Sequence, residues 1–138
     1  MNRIQPHEFA KFLKAYRFVG GKLCAARVRH RGAREVSVEF RVMVRAAITD
    51  LGAKARAVRL RVVLEGVTEF RLQMRPSQPK VKLTDARLGF LNGQFFVSFD
   101  SVGLEPNEKA EVFDFRASEV YAAGRELLWE EVKKAGST

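Results

Sequence analysis

From Arg34 to Ala46 the chain alternates without a break. Val36, Val38, Phe40, Val42 and Val44 fall on one side, and Glu35, Ser37, Glu39, Arg41, Met43 and Arg45 on the other. Successive side chains of a strand point to opposite faces, so a period of two sustained over this length specifies a long half-buried β-strand. The pattern returns at 58–64, where Val58, Leu60, Val62 and Leu64 oppose Arg59, Arg61 and Val63. It returns again at 69–75, where Phe70, Leu72 and Met74 oppose Glu69, Arg71, Gln73 and Arg75. Glu65 and Gly66 between these runs mark either a bulge or a break.

Pro76 to Pro79 reads as a loop, after which Val81 to Leu91 resumes the strand pattern. Asn92-Gly93 is the sharpest turn signal, because both central residues of a two-residue hairpin turn of this type need positive φ. That turn pairs Phe90 with Phe95 and Leu88 with Val97, which puts Leu88, Phe90, Phe95, Val97 and Phe99 on one face. Ser101 to Lys109 is a polar loop, and Glu111 to Arg116 reads as a strand with Phe113 and Phe115 on one side. For 118–132 the expectation is a short turn at 118–123 and a closing strand at 125–132. A helix capped by Ser118 and interrupted at Gly124 is the alternative.

One segment has the helical period instead. Pro6 followed by Phe9, Phe12, Leu13 and Tyr16 predicts an amphipathic helix over about 6–17, ended by Gly20 and Gly21. The expected fold is therefore mainly β: an antiparallel sandwich or partly closed barrel of about seven to eight strands with one N-terminal helix packed on it. Met43, Val63, Leu91 and Phe96 point away from the expected core face. Such a patch needs a cover, supplied by the N-terminal helix or by a second copy of the chain.

With 138 residues, 46% of them hydrophobic and 30% charged, residues 1–138 suit a single globular domain with a core of its own. The one cysteine, Cys24, has no internal disulfide partner, which points to a reducing compartment. No apolar run of signal-peptide or membrane-span length occurs, and arginine outnumbers lysine 16 to 9. A cytoplasmic, bacterial protein is the expectation.

Charge is divided unevenly. Residues 1–82 carry 19 Lys and Arg against 6 Asp and Glu, and residues 83–138 carry 6 against 10, balances of +13 and −4 within the net +9. Arg27, Arg29 and Arg31 share a strand face, as do Arg41 with Arg45, Arg59 with Arg61, and Arg71 with Arg75. If these strands are neighbours with outer faces aligned, the nine guanidinium groups make one basic sheet surface. It would suit an acidic protein partner or nucleic-acid phosphates, or be a solvated face partly neutralised by Glu35, Glu39, Glu65 and Glu69.

Catalytic chemistry has little to draw on. His7 and His30 have no Cys or His partner at metal-ligand spacing, and Cys24 between Leu23 and Ala25 reads as a small hydrophobe. Asp85, Asp100, Asp114, Glu130 and Glu131 are not paired by any spacing that places two of them about one bond. Gly20-Gly21 precedes a strand, not the helix N-terminus a phosphate loop needs. No cofactor or metal is expected. The run Gly93 to Phe99 resembles the octamer of RNA-recognition motifs at its glycine and last specified positions. It departs from it at Gln94, where a stacking aromatic belongs, and at Asn92 and Phe95.

Val58 to Phe70 (VRLRVVLEGVTEF), the hairpin at Asn92-Gly93 and the closing region from Phe113 to Trp129 together resemble small uncharacterised bacterial β-rich domains of the immunity-protein type from polymorphic toxin systems. The resemblance implies partner binding without catalysis and transfers no functional residue. The leading expectation is thus a non-enzymatic protein-binding domain that uses its basic sheet face. A sequence-nonspecific nucleic-acid-binding protein is the alternative, and a small-ligand-binding β-barrel a weaker one. The charge split also leaves head-to-tail self-association open.

Overall fold

A computed structural model describes residues 1–32, 35–46, 56–73, 81–83, 86–100 and 110–132. The expected loops at 76–79 and 101–109, and residues Arg34, Met74, Arg75 and Asp85, lie outside them. Among the described residues no helix is long and apolar enough to cross a membrane.

Among the described residues ten strands form two antiparallel sheets. The larger contains β1 (Asn2–Arg3), β2 (Tyr16–Arg31), β3 (Glu35–Ala46), β4 (Ala57–Glu65), β6 (Val81–Lys82) and β10 (Glu126–Val132), in the order β1-β10-β4-β3-β2-β6. The smaller contains β5 (Glu69–Leu72), β7 (Arg87–Leu91), β8 (Gln94–Ser98) and β9 (Val120–Gly124), in the order β5-β9-β8-β7. The sheets stack as an open sandwich, as expected for a mainly β chain, and they do not close into a barrel.

The alternation sets the layers. Val38, Phe40, Val42 and Val44 of β3, Leu60, Val62 and Leu64 of β4 and Leu127 of β10 face Phe95 and Val97 of β8 and Val120 and Ala122 of β9, all buried. Phe99, just beyond β8, meets Phe40 edge-on at 4.8 Å. The hairpin forms in the expected register, Phe90 with Phe95 and Leu88 with Val97, and Asn92 and Gly93 have φ of 53° and 75°.

Glu65-Gly66 is a break, not a bulge. Gly66, at φ 62°, ends β4 in one sheet and lets the chain enter β5 in the other. Beside it, β9 passes to β10 in the reverse direction, and the Arg125 N–H donates to the Glu65 carbonyl at 2.9 Å. Gly124 fits this corner because a Cβ there would lie 2.7 Å from the Glu65 oxygen.

Several local expectations change. The N-terminal helix is shorter: a 3-10 turn at Pro6–Glu8 leads into α1 (Phe9–Ala15), and Tyr16 already begins β2. Val81 to Leu91 is not one strand, since β6 pairs with β2 while β7 pairs with β8. The expected turn at 118–123 is mostly β9, whose Ala122 and Ala123 are fully buried between larger neighbours. The expected strand at 111–116 is a short helix, α2 (Val112–Arg116). The Asp114 carboxylate accepts the Glu111 N–H at 2.7 Å, a helix-start contact that outweighs the brief alternation. Phe115 turns in and Phe113 turns out, 70% exposed.

The expected patch of Met43, Val63, Leu91 and Phe96 is likewise divided. Phe96 lies on the outer face of the smaller sheet under α2, its ring 5.2 Å from that of Phe115, with Leu91 packed at the margin of the same cluster. Met43 and Val63 belong to the outer face of the larger sheet. The helix α1 covers neither pair. It plugs one end of the sandwich, with Phe12 packed against Tyr16, Phe18 and Trp129 at 5.5, 5.8 and 5.2 Å.

Candidate functional site

Strand register places the outward side chains of the larger sheet in rows. One row reads Leu128, Val63, Glu39, Arg27 from β10 to β2. The next reads Glu130, Arg61, Arg41, Ala25, and the third Val132, Arg59, Met43, Lys22. A fourth holds Ala57, Arg45 and Arg17. Beyond the first row, Arg29 pairs with Ser37 and Arg31 with Glu35.

Six of the nine expected arginines thus share one sheet face: Arg27, Arg29, Arg41, Arg45, Arg59 and Arg61. Arg71 does not. It lies on the smaller sheet, donates to the carbonyls of Arg116 and Ser118 at 2.8 and 3.3 Å, and stands over the Tyr121 ring. Its role there is to pin the end of α2. Arg75 lies outside the described residues.

The centre of the face is neutralised from within. Glu39 is only 2% exposed although it points outward, because arginine side chains close over it. Arg61 Nε donates to one carboxylate oxygen, Arg41 Nε donates to the other at 3.3 Å, and Arg61 Nη1 reaches Glu130 at 3.1 Å. Burial alone raises the Glu39 pKa, but hydrogen bonding and charge from Arg61 and then Arg41 outweigh it and hold the carboxyl below its usual range. Hydrogen bonding to Glu39, against the cost of burial, raises Arg61 in turn. Arg61 and Arg41 therefore act inside the fold.

The periphery differs. Arg17, Lys22, Arg27, Arg29, Arg45 and Arg59 are exposed, and none has a carboxylate within ion-pair distance among the described residues. Arg17 and Lys22 were not visible as members from the alternation, since Arg17 falls in the expected helix and Gly20-Gly21 reads as its terminator. A bulge brings them together. Arg17 opposes Arg45 and Lys22 opposes Met43, so residues 18–21 of β2 are spanned on β3 by Val44 alone. Gly20 takes φ 85°, and any Cβ on Gly21 would collide with the Met43 carbonyl oxygen. The glycine pair is the signal that such a bulge was present.

Other polar groups serve the fold. Ser98 Oγ donates to Ser118 Oγ at 2.9 Å, and Ser118 Oγ donates to Asp100. Asp100 also accepts the N–H groups of Glu119 and Val120 at 3.0 and 3.1 Å, so the cluster folds the entry to β9 around a serine that is 2% exposed. Tyr16 donates to Glu131 at 2.8 Å. Burial, then the hydrogen bond and charge of Glu131, push its hydroxyl up to about 12. His7 and His30 are exposed and Cys24 is half-buried. Among the described residues no three His, Cys, Asp or Glu side chains group to hold a metal ion.

Two spaces bear on ligand binding. Between the sheets, the void bounded by Phe12, Phe18, Val62, Val97, Phe99 and Leu127 is about 10 Å³, at most the room of one water. An open cleft of about 500 Å³ lies where the two sheet-crossing corners meet, lined by Glu35, Ser37, Glu65, Thr68, Arg125 and Glu126. No family model, curated protein or solved structure matches this chain.

Proposed function

We propose that this chain is a non-catalytic binding domain that docks the outer face of its larger sheet onto an acidic surface of a protein partner. The carrying observation is the contrast within that face. Arg41 and Arg61 are consumed by Glu39 and Glu130, whereas Arg17, Lys22, Arg27, Arg29, Arg45 and Arg59 present uncompensated charge around them. Uncompensated charge of one sign steers encounter with the opposite sign and fixes orientation. Met43 and Leu128, both half-buried, lie on the same face and supply the apolar contact from which a protein interface draws its energy.

Two further points favour a protein over a nucleic acid. Single-strand binders stack bases on exposed aromatic rings, and the described outer face carries arginine, methionine and aliphatic side chains instead. The resemblance to immunity-type domains likewise implies a protein partner. A lone unpaired Cys24 supports a reducing, cytoplasmic setting.

The test is photo-crosslinking in cells from a benzoyl-phenylalanine placed at Met43, with Phe113 on the opposite side of the molecule as control. The expected result is a discrete acidic protein crosslinked from Met43 only, whose association with purified protein slows strongly in R27E/R29E. Crosslinks to nucleic acid, with fluorescence anisotropy showing duplex or single-stranded binding that persists near physiological salt, would replace this reading with phosphate contact.

A further inference from the structure

The bulge at Gly20-Gly21 assembles four of the unpartnered cations into one cluster, and that cluster has a chemistry of its own. Arg17 and Arg45 are direct cross-strand partners, and side chains so placed have Cβ atoms about 5 Å apart. Lys22 and Arg59 flank Met43 in the adjoining row, about 7 Å along the strands. Like charges directly opposed on a sheet are destabilising. Elsewhere on this face the same arrangement, Arg41 opposite Arg61, is bridged by Glu39; here no carboxylate intervenes among the described residues.

We propose that Arg17, Lys22, Arg45 and Arg59 form a receptor for a phosphomonoester dianion, carried by a phosphorylated serine or threonine within the acidic segment of the partner. A carboxylate brings one negative charge, which leaves an opposed arginine pair and its two flanking cations largely uncompensated. A phosphoryl group brings about −1.5 to −2 at neutral pH and three acceptor oxygens. Guanidinium groups take such oxygens in bidentate fashion, which two arginines facing each other across a strand pair provide from two sides. The neighbouring Arg27 and Arg29 then meet the carboxylates that flank the phosphorylated residue. Met43, half-buried at the centre of the four cations, gives the floor an apolar patch. This inference rests on the acidic-partner reading and deepens it.

The test is titration of the whole protein, followed by NMR of backbone and guanidinium N–H groups. Three short synthetic acidic peptides, identical except for phosphoserine, glutamate or serine at one position, serve as probes beside O-phosphoserine and duplex DNA. The expected result is phosphopeptide affinity about tenfold above that of the glutamate peptide, with the largest shifts at Arg17, Lys22, Arg45 and Arg59. That preference disappears in R17Q/R45Q, and in K22Q/R59Q if the first variant fails to fold.

Equal binding of the phosphoserine and glutamate peptides overturns the phosphate inference while leaving the acidic-partner reading intact. A phosphopeptide preference that survives both variants, or shifts centred on Arg71 or Arg125, overturns the site. O-Phosphoserine binding as tightly as the peptide overturns the partner as occupant. DNA binding with none of the peptides bound overturns the inference and the reading together.

Discussion

The Glu39 carboxylate, in the middle of β3, is held by Nε of Arg61 from the neighbouring strand, on a sheet face that otherwise meets solvent. Among the described residues this is the one buried acid of that face, and its arginines shield it. Replacing it with glutamine removes the charge that both Arg61 and Arg41 require. Breaking a buried pair is strongly destabilising, but these partners are partly exposed and water screens them. E39Q is therefore expected to lower stability by about 2 kcal/mol at neutral pH, read from the midpoint of urea denaturation. Because the folded-state pKa of Glu39 is depressed, its contribution is present above the unfolded value and is lost as pH falls through the folded one. The gap between wild type and E39Q should close in acid; a gap independent of pH would show that charge is not the cause.

Arg59 and Arg61 sit on one face of β4 but divide in role. R61E places a third carboxylate beside Glu39 and Glu130 and is expected to cost about 3 kcal/mol or more. R59E, with no ion-pair partner among the described residues to lose, is expected to stay within about 0.5 kcal/mol of wild type while weakening the acidic partner's association. Thermal denaturation paired with association kinetics checks both. Equal destabilisation by the two reversals would contradict the division.

Tyr16 links β2 to β10 through Glu131, and its hydroxyl stays protonated up to about 12. A pKa raised on folding gives stability that is complete below the unfolded value near 10 and disappears as pH climbs through the folded one. Y16F should remove about 2 kcal/mol of alkaline pH dependence between about pH 10 and 12. Denaturation of the two proteins across that range tests this, and parallel curves would show that neither the burial of Tyr16 nor its hydrogen bond to Glu131 raises its pKa in solution.

The bulge makes a prediction by position. G20A meets open space and suffers only from its positive φ, a loss of about 1–2 kcal/mol. G21A drives a methyl group into the Met43 and Phe18 carbonyl oxygens and should cost about 3 kcal/mol or more. It should also separate Arg17 from Lys22 and so weaken anion binding. If calorimetry finds G20A the more damaging, the bulge geometry is wrong.

The parts of this fold that were readable in advance are those decided by neighbours in sequence. The alternation of β3 and β4 and the Asn92-Gly93 turn fix their own faces and register, and both formed as read. What escaped was decided elsewhere. Val112 to Arg116 is too short for alternation to distinguish a strand from a helix, and the Glu111–Asp114 contact settled it. Residues 118–123 read as a turn, and alanine and glycine are poor in β-propensity, yet small residues are what the crowded junction between sheets admits in a strand. Of the basic face, six arginines were legible from strand parity. Arg17 and Lys22 were not, because a bulge resets parity and only tertiary pairing reveals where. Glu39 was read as a surface acid, and its burial depends on arginines that reach it from its own strand and the next.

Two passages between the sheets lie side by side, β4 into β5 through Gly66 and β9 into β10 past Gly124, joined by the Arg125 to Glu65 hydrogen bond. Neither sheet can therefore peel from the other without pulling both corners apart. The slowest-exchanging amides of β3 and of β8 should report the same opening free energy, that of the whole molecule, and the domain should melt in one step. A partner gripping the basic face would in this way stiffen the far sheet, although it touches no residue of it.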